Sequence, residues 1–270
     1  MTRTNFHTHT PYCDGASSIQ ELIDAALEAG AHQLGFSGHS LVEEAPTVYD
    51  MSQEEAAAYR REIQEKKAQY RGQIRLFCGI EQDFLSQATP TGYDYVIGSV
   101  HLVRAPDGGI VPVDHGPDIA KNGVDAHFNG DFMAFVKTYY ELVAQVKEKT
   151  ACHIVGHFDL IAKFNQTHRF FDEDSRAYRF CAIEALERLS AQGAVLEINT
   201  GAISRRARTI PYPAPFLLEE MKRLHVPVCY SSDAHHKDHL FFMEKEVREL
   251  IHKYQLTQLE TMEDILAYAR

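Results

Sequence analysis

The chain has 270 residues, 44% hydrophobic and 24% charged, with a formal net charge of −11. This composition suits a soluble globular protein, and the length suits one α/β barrel domain with a large core. The acidic balance, with no basic block to offset it, argues against nucleic-acid binding, and no apolar run is long enough to span a bilayer.

Five cysteines (Cys13, Cys78, Cys152, Cys181 and Cys229) make an odd number with no C-x-x-C pair. Reduced thiols in a cytoplasmic protein are therefore expected rather than a disulfide framework. The opening MTRTNFHTHT lacks the apolar stretch of a secretory signal. The anomaly is fifteen histidines, because imidazole is the commonest metal-binding side chain.

Short apolar runs alternate with amphipathic segments, which predicts βαβ units and a parallel sheet. The runs at 4–7, 33–37, 75–80, 95–100, 153–157, 194–199 and 227–231 read as strands. The first helix opens at Ser18, with Glu21 at capping-box spacing. Ile19, Leu22, Ile23, Ala26 and Leu27 follow the helical period, and Gly30 falls where the helix should stop. Further helices are predicted over 52–70, 131–149, 173–192, 214–224 and 240–252. Residues 103–130 carry glycine, proline, aspartate and histidine with little periodicity, which predicts a long loop suited to a lid. With no repeat or linker, residues 1–270 read as one domain.

Polar residues recur where each predicted strand ends. In order these are His7-Thr8-His9, Gly38-His39-Ser40, Gly79-Ile80-Glu81, Gly98-Ser99-Val100-His101, Gly156-His157, Glu197-Ile198-Asn199 and Ser232-Asp233-Ala234-His235. In a parallel barrel these ends form one rim, where active sites sit. Residues i and i+2 of a strand share a face, so His7 and His9 can grip one ion, and Asp14 in the following loop can reach the same rim. A lone histidine at a strand end is usually an ordinary satisfied polar residue; the recurrence at every strand end is what argues for convergence. His32, His127, His168, His225 and His252 read as surface or packing residues, whereas His115, His236 and His239 lie near the rim. Imidazole with carboxylate suits zinc, iron or manganese. About nine candidate ligands exceed what one ion takes, so two or three divalent ions are expected, with Glu81 able to bridge a pair. Such a cluster generates hydroxide and clamps the oxygens of an in-line displacement, the two needs of phosphate-ester hydrolysis.

These segments, together with Gly156-His157-Phe158-Asp159-Leu160, resemble the polymerase-and-histidinol-phosphatase (PHP) superfamily, in order and over the whole chain. Residues 95–101, 157–164 and 197–205 resemble its monofunctional histidinol-phosphatase branch. The resemblance implies a distorted, TIM-like (β/α)7 barrel with three divalent ions. His7, His9, Glu81 and Asp233 would hold the first, Glu81, His101 and His157 the second, and Asp14, His39 and His235 the third. A metal-bridging hydroxide would attack phosphorus, releasing L-histidinol and phosphate from L-histidinol phosphate in histidine biosynthesis. Gly38 departs from the aspartate that many members carry before the second-strand histidine. The same site could serve a nucleotide or sugar phosphate; a non-catalytic metal-binding module and an amidohydrolase-type deaminase are further readings of a His-x-His barrel. Oligomeric state is left open.

Arginine forks suit phosphate, and residues 201–208 hold Arg205, Arg206 and Arg208. Arg205 and then Arg208 are the expected phosphate donors, with Lys163 as a further cation. Asp114 and Asp118 are candidates for a cationic leaving group, and His236 for its proton donor. Residues 35–39 miss the final glycine of a G-x-S-x-G elbow, and neither a P-loop nor a dinucleotide fingerprint occurs.

Overall fold

Residues 2–269 are described by a computed structural model. In chain order the strands are β1 (Thr4–Asn5), β2 (Gln33–His39), β3 (Arg75–Asp83), β4 (Tyr95–Ser99), β5 (Leu102–Arg104), β6 (Ile110–Pro112), β7 (Ile154–Val155), β8 (Leu196–Asn199) and β9 (Val228–Ser231). Seven of them form a sheet in the order β1-β2-β3-β4-β7-β8-β9, every pairing parallel. Beyond the strand ends, Thr8 bridges Ala234 in parallel, with His9 N donating to Ala234 O at 2.8 Å. This contact brings the first and last strands together and nearly closes the sheet into a (β/α)7-type barrel.

The period of two along each strand sets what the barrel holds. On β3 the inward set is Phe77, Gly79, Glu81 and Asp83; on β4 it is Tyr95, Ile97 and Ser99. The lower positions are apolar: Phe6, Phe77, Tyr95, Ile97, Ile154, Val195 and Cys229 pack as one cluster. Tyr95 fills the centre, donating to Phe36 O at 3.0 Å and also to Phe6 O. A Cβ on Gly35 would lie 2.4 Å from its hydroxyl oxygen, and one on Gly79 2.2 Å from its Cζ, so the barrel needs glycine at both. The upper positions of the same inward rows are the polar residues of the rim.

The helices are α1 (Ile19–Glu28), α2 (Gln53–Gln69), α3 (Pro117–His127), α4 (Phe132–Val143), α5 (Val146–Thr150), α6 (Asn165–His168), α7 (Arg176–Ala191), α8 (Gly201–Ser204), α9 (Pro215–Arg223), α10 (Glu244–Tyr254) and α11 (Met262–Tyr268). Ser18 and Ser52 begin α1 and α2 with complete capping boxes. The outward faces of the strands pack against the longer helices in a second, larger apolar layer. Met262 and Ile265 of α11 belong instead to the inner cluster and cap the apolar end of the barrel. Among the described residues no helix is long and apolar enough to cross a membrane.

Three expectations need correction. Residues 103–130 are not a structureless loop. Antiparallel β5 and β6 form a hairpin, followed by α3, and Val103, Val111 and Val124 are fully buried between them. The apolar residues are too few and too interrupted to show a period, and Gly123 mimics a breaker, yet a Cβ there would stand 2.5 Å from Val111. The helix expected over 131–149 breaks at Ala144–Gln145 into α4 and α5. The helix expected from 240 starts at Glu244, after Met243 adopts the left-handed region with φ 55°. Helix α11 was not anticipated.

Candidate active site

Inward-facing polar positions of the strands and their first loop residues meet at one end of the barrel. Glu81 on β3 stands at the centre, 1% exposed. Its Oε1 lies 2.8 Å from His157 Nε2 and 3.3 Å from His101 Nε2, and accepts from Ser99 Oγ at 2.6 Å. Its Oε2 lies 3.1 Å from His7 Nε2, 3.1 Å from His39 Nδ1 and 3.5 Å from His9 Nε2. Asp233 Oδ1 is 3.3 Å from His9 Nε2, and Asp14 Oδ2 is 3.0 Å from His235 Nε2. All nine residues singled out as metal ligands are therefore neighbours. Their donor atoms fall into four overlapping groups, each within 4.8 Å: His9, Asp14, His39 and His235; His7, His9 and Asp233; His7, Glu81 and His157; His39, Glu81 and His101. None coincides with an implied set: the first adds His9, the second lacks Glu81, and the last two separate His101 from His157, which were expected to share one ion.

The donor set fits divalent ions on its own chemistry. His7 Nε2, His9 Nε2, Glu81 Oε2 and Asp14 Oδ1 are buried and lack any hydrogen-bond partner, a state that costs free energy unless a cation takes the lone pairs. Close as His7 Nε2 and Glu81 Oε2 are, their geometry is not that of a hydrogen bond. Imidazole with carboxylate is the donor chemistry of zinc, manganese or iron.

Electrostatics point the same way. Burial alone would depress the His7 and His101 imidazoles, but the surrounding carboxylates, Glu197 and Glu81 for the first and Glu81 and Asp83 for the second, hold both well above their ordinary value. His39 is raised against burial by Glu81 and Asp14. Burial, with His235 and His39 alongside, pushes His9 down to about 3. Despite burial, neighbouring histidines hold Glu81 far below the carboxylate range, and Arg205 with His7 does the same for Asp233. The carboxylates thus favour positive charge on His7, His39 and His101, and an ion bound there would displace protons. Ion binding should therefore release protons and tighten as pH rises. Zinc titration by calorimetry in buffers of different ionisation enthalpy measures the release; heats independent of buffer would refute it.

Two residues, Glu197 and Asp83, have orienting roles that the sequence pattern did not reveal. Glu197 Oε2 lies 2.9 Å from His7 Nδ1, and Glu197 Oε1 accepts from the His157 backbone N–H at 2.8 Å. Asp83 Oδ2 lies 3.3 Å from His101 Nδ1 and accepts from the His101 N–H at 2.8 Å. Carboxylates behind ligating imidazoles fix ring orientation and tautomer. Glu197 stood in view at the end of the sixth strand; its inward parity with Val195 and Asn199 was the signal.

A PHP-domain family model matches residues 5–201. The chain belongs to the PHP family. A Deinococcus radiodurans relative named "Probable histidinol-phosphatase" is 29% identical over 261 residues, covering 90% of this chain and 92% of its own. The Bacillus subtilis histidinol-phosphatase is 27% identical over 264 residues, covering 87% and 94%. The fold is also that of the Lactococcus lactis histidinol phosphate phosphatase, solved with zinc, L-histidinol and phosphate, at TM-score 0.71 and 21% identity, covering 96% of this chain and 95% of that one.

Gly38, just before His39 on β2, has its side-chain space taken. A Cβ there would lie 2.9 Å from Met51 Cε and 3.4 Å from Cys13 Sγ. Arg205 and Lys163 line the same pocket as Glu81, Asp233 and His235. Arg205 Nη2 donates to Asp233 Oδ2 at 2.8 Å, and Nη1 donates to Asp233 O at 3.0 Å and lies 2.8 Å from His235 Nδ1. A Cβ on Gly201 would sit 2.8 Å from Arg205 Nη2 and 2.5 Å from Asp233 Oδ2, so glycine opening α8 makes room for the pair. Lys163 Nζ donates to Asp114 Oδ2 at 2.9 Å.

Three expected site residues lie elsewhere. Arg208 is not on the rim: its side chain is fully buried against Asp159, because the turn after α8 folds it inward beneath Tyr212. His236 points to solvent, its side chain 45% exposed, with Nδ1 accepting from the Asp238 N–H at 3.2 Å. β9 ends at Ser231 and Asp233 takes φ 49°, so the chain beyond it is a turn, which aims Asp233 and His235 at the cluster and His236 at solvent. Asp118 in the first turn of α3 is likewise absent from the pocket lining, whereas Asp114 and His115 belong to it.

Proposed function

We propose that this chain, acting as one domain, is a metal-dependent phosphomonoesterase that hydrolyses L-histidinol phosphate to L-histidinol and phosphate in histidine biosynthesis. The observation that carries this reading is the convergence of nine candidate imidazole and carboxylate ligands, with Glu81 at their centre and buried lone pairs unpartnered, in a pocket that also holds Arg205 and Lys163. The names of the curated relatives, and the zinc, L-histidinol and phosphate held by the Lactococcus lactis enzyme, support the choice of substrate and cofactor.

His7, His9, Asp14, His39, Glu81, His101, His157, Asp233 and His235 would hold two or three divalent ions. Bound there, such ions supply a hydroxide nucleophile at neutral pH and neutralise charge on the phosphoryl oxygens. Glu197 and Asp83 keep the His7 and His101 rings aimed at the cluster. Arg205 is fixed by Asp233 and His235 with its Nε–H uncommitted, so it can bind a phosphoryl oxygen without first being ordered. Lys163 is held at the pocket wall by Asp114 and adds positive charge on the approach side.

Arg205→Ala should lower kcat/KM for the ester about 10- to 100-fold, the span of one or two charge-assisted hydrogen bonds. Most of the loss should fall on KM. Steady-state kinetics with unchanged KM would remove Arg205 from phosphate binding.

The reading itself is tested by phosphate release from L-histidinol phosphate beside a panel of nucleotide and sugar phosphates, using protein loaded with Zn²⁺ or Mn²⁺. Fast, selective release that a chelator abolishes and metal restores is the expected result. Faster release from another ester would reassign the substrate, and no release from any ester with metals bound would overturn the phosphatase reading.

A further inference from the structure

The pocket has two unlike ends. The inner end is the ligand cluster with Arg205, which fixes where a phosphoryl group belongs. The outer end is built from two loops remote in sequence: the segment after β2, carrying Tyr49, and the turn between β6 and α3, carrying His115. Their rings meet edge-to-face, with centroids 5.5 Å apart and planes at 65°. Neither ring makes a side-chain hydrogen bond among the described residues.

Tyr49 stands there by construction. Asp50 Oδ2 accepts from Val42 N at 3.2 Å and Thr47 N at 3.1 Å, its Oδ1 accepts from Thr47 Oγ1 at 2.8 Å, and Thr47 Oγ1 accepts from Tyr49 N at 3.1 Å. These bonds pin the backbone on both sides of a large aromatic side chain left 41% exposed. An exposed ring on a pinned turn, touching a second ring across a pocket mouth, has no packing purpose in the barrel. Beside His115, Asp114 spends one oxygen on Lys163 and leaves Oδ1 without a hydrogen bond.

We propose that Tyr49 and His115 form the subsite for the leaving alcohol and set a preference for phosphate esters whose alcohol carries a flat ring. The inference rests on the phosphatase reading, which places the phosphoryl group at the opposite end. Aromatic faces reward an offset or edge-on ring over an aliphatic chain of equal size. The Asp114 carboxylate beside them favours a cationic substituent on the same alcohol. Both residues are specificity-determining and stand apart from the ligand cluster.

The test compares kcat/KM for L-histidinol phosphate, phenyl phosphate and 2-aminoethyl phosphate in the metal-loaded wild type, Tyr49→Ala, Tyr49→Phe and His115→Ala. The wild-type rates alone judge the histidinol phosphate reading. The ratio between ring-bearing and ring-free esters judges the subsite, and phenyl phosphate preserves that judgement if L-histidinol phosphate does not turn over. Tyr49→Ala and His115→Ala should each lower that ratio about tenfold, chiefly through KM, with 2-aminoethyl phosphate changed less than twofold; Tyr49→Phe should keep the wild-type ratio. An unchanged ratio in both alanine variants, an equal loss on all three esters, or a wild type that favours the ring-free ester would overturn the proposal.

Discussion

Replacing Glu81 with alanine should lower kcat by roughly a thousandfold or more, about 4 kcal/mol of lost transition-state stabilisation, while the barrel stays folded. Among the described residues no other side chain faces so many ligand candidates: one oxygen lies beside His101 and His157, and the other faces His7, His9 and His39. Loss of a residue that merely orients a ligand costs 10- to 100-fold in metal affinity or activity; loss of a shared ligand must cost more. The fold should persist, because the apolar cluster below is separate and Ser99 is the main hydrogen-bond donor left unpaired. The variant should also bind less metal. Metal analysis beside phosphate-release kinetics checks both parts; near-normal turnover at unchanged metal content would remove Glu81 from its bridging role.

The site was legible because a strand's period of two carries a local pattern into three dimensions. With His7-x-His9 just past the end of β1 and Asp233-x-His235 just past the end of β9, a nearly closed parallel barrel leaves them little choice but to meet. Arg208 was misread for the converse reason. In a turn there is no fixed period, so nothing in Arg205-Arg206-Ala207-Arg208 says which fork faces the pocket. Arg206 takes φ 60°, and that reversal separates Arg205 on the rim from Arg208 in the core. Residues 103–130 were misread because their apolar positions are sparse: a three-residue hairpin strand offers only one or two inward positions, and Gly123 in α3 is there for close packing on Val111, where sequence alone shows a breaker. Glu197 and Asp83 lie one step further from the surface of the problem. They contact the candidate ligands rather than an ion, and only the ring nitrogens that metal coordination would leave over call for them.

Arg208 leads to the second large effect, on stability rather than catalysis. Both its side chain and that of Asp159 are fully buried, with Arg208 Nη1 donating to Asp159 Oδ2 at 3.3 Å and the guanidinium 4.7 Å from the centre of the Tyr212 ring. Asp159 also accepts from the Ala214 backbone N–H at 3.1 Å, tying the loop after β7 to the start of α9. Arg208→Ala strands a buried carboxylate, a change that costs about 3–5 kcal/mol and roughly 10 °C in Tm for a chain of this size. The loss should depend on pH, with a definite sign. Burial already raises the Asp159 carboxyl above its ordinary value, against the pull of Arg208. Without the guanidinium it rises further, so the folded variant binds a proton that the unfolded chain has released. Stability then falls as pH climbs from the unfolded carboxylate value through the folded one. The Tm deficit relative to wild type should accordingly be larger at pH 8 than at pH 5. Thermal unfolding of metal-loaded protein at the two pH values measures it. An equal deficit at both would assign the loss to the missing side-chain volume, and a deficit under about 1 kcal/mol would mean that water or backbone rearrangement satisfies Asp159. Asp159→Asn combined with Arg208→Met removes both charges and should recover much of the stability, with its remaining deficit the same at pH 5 and pH 8.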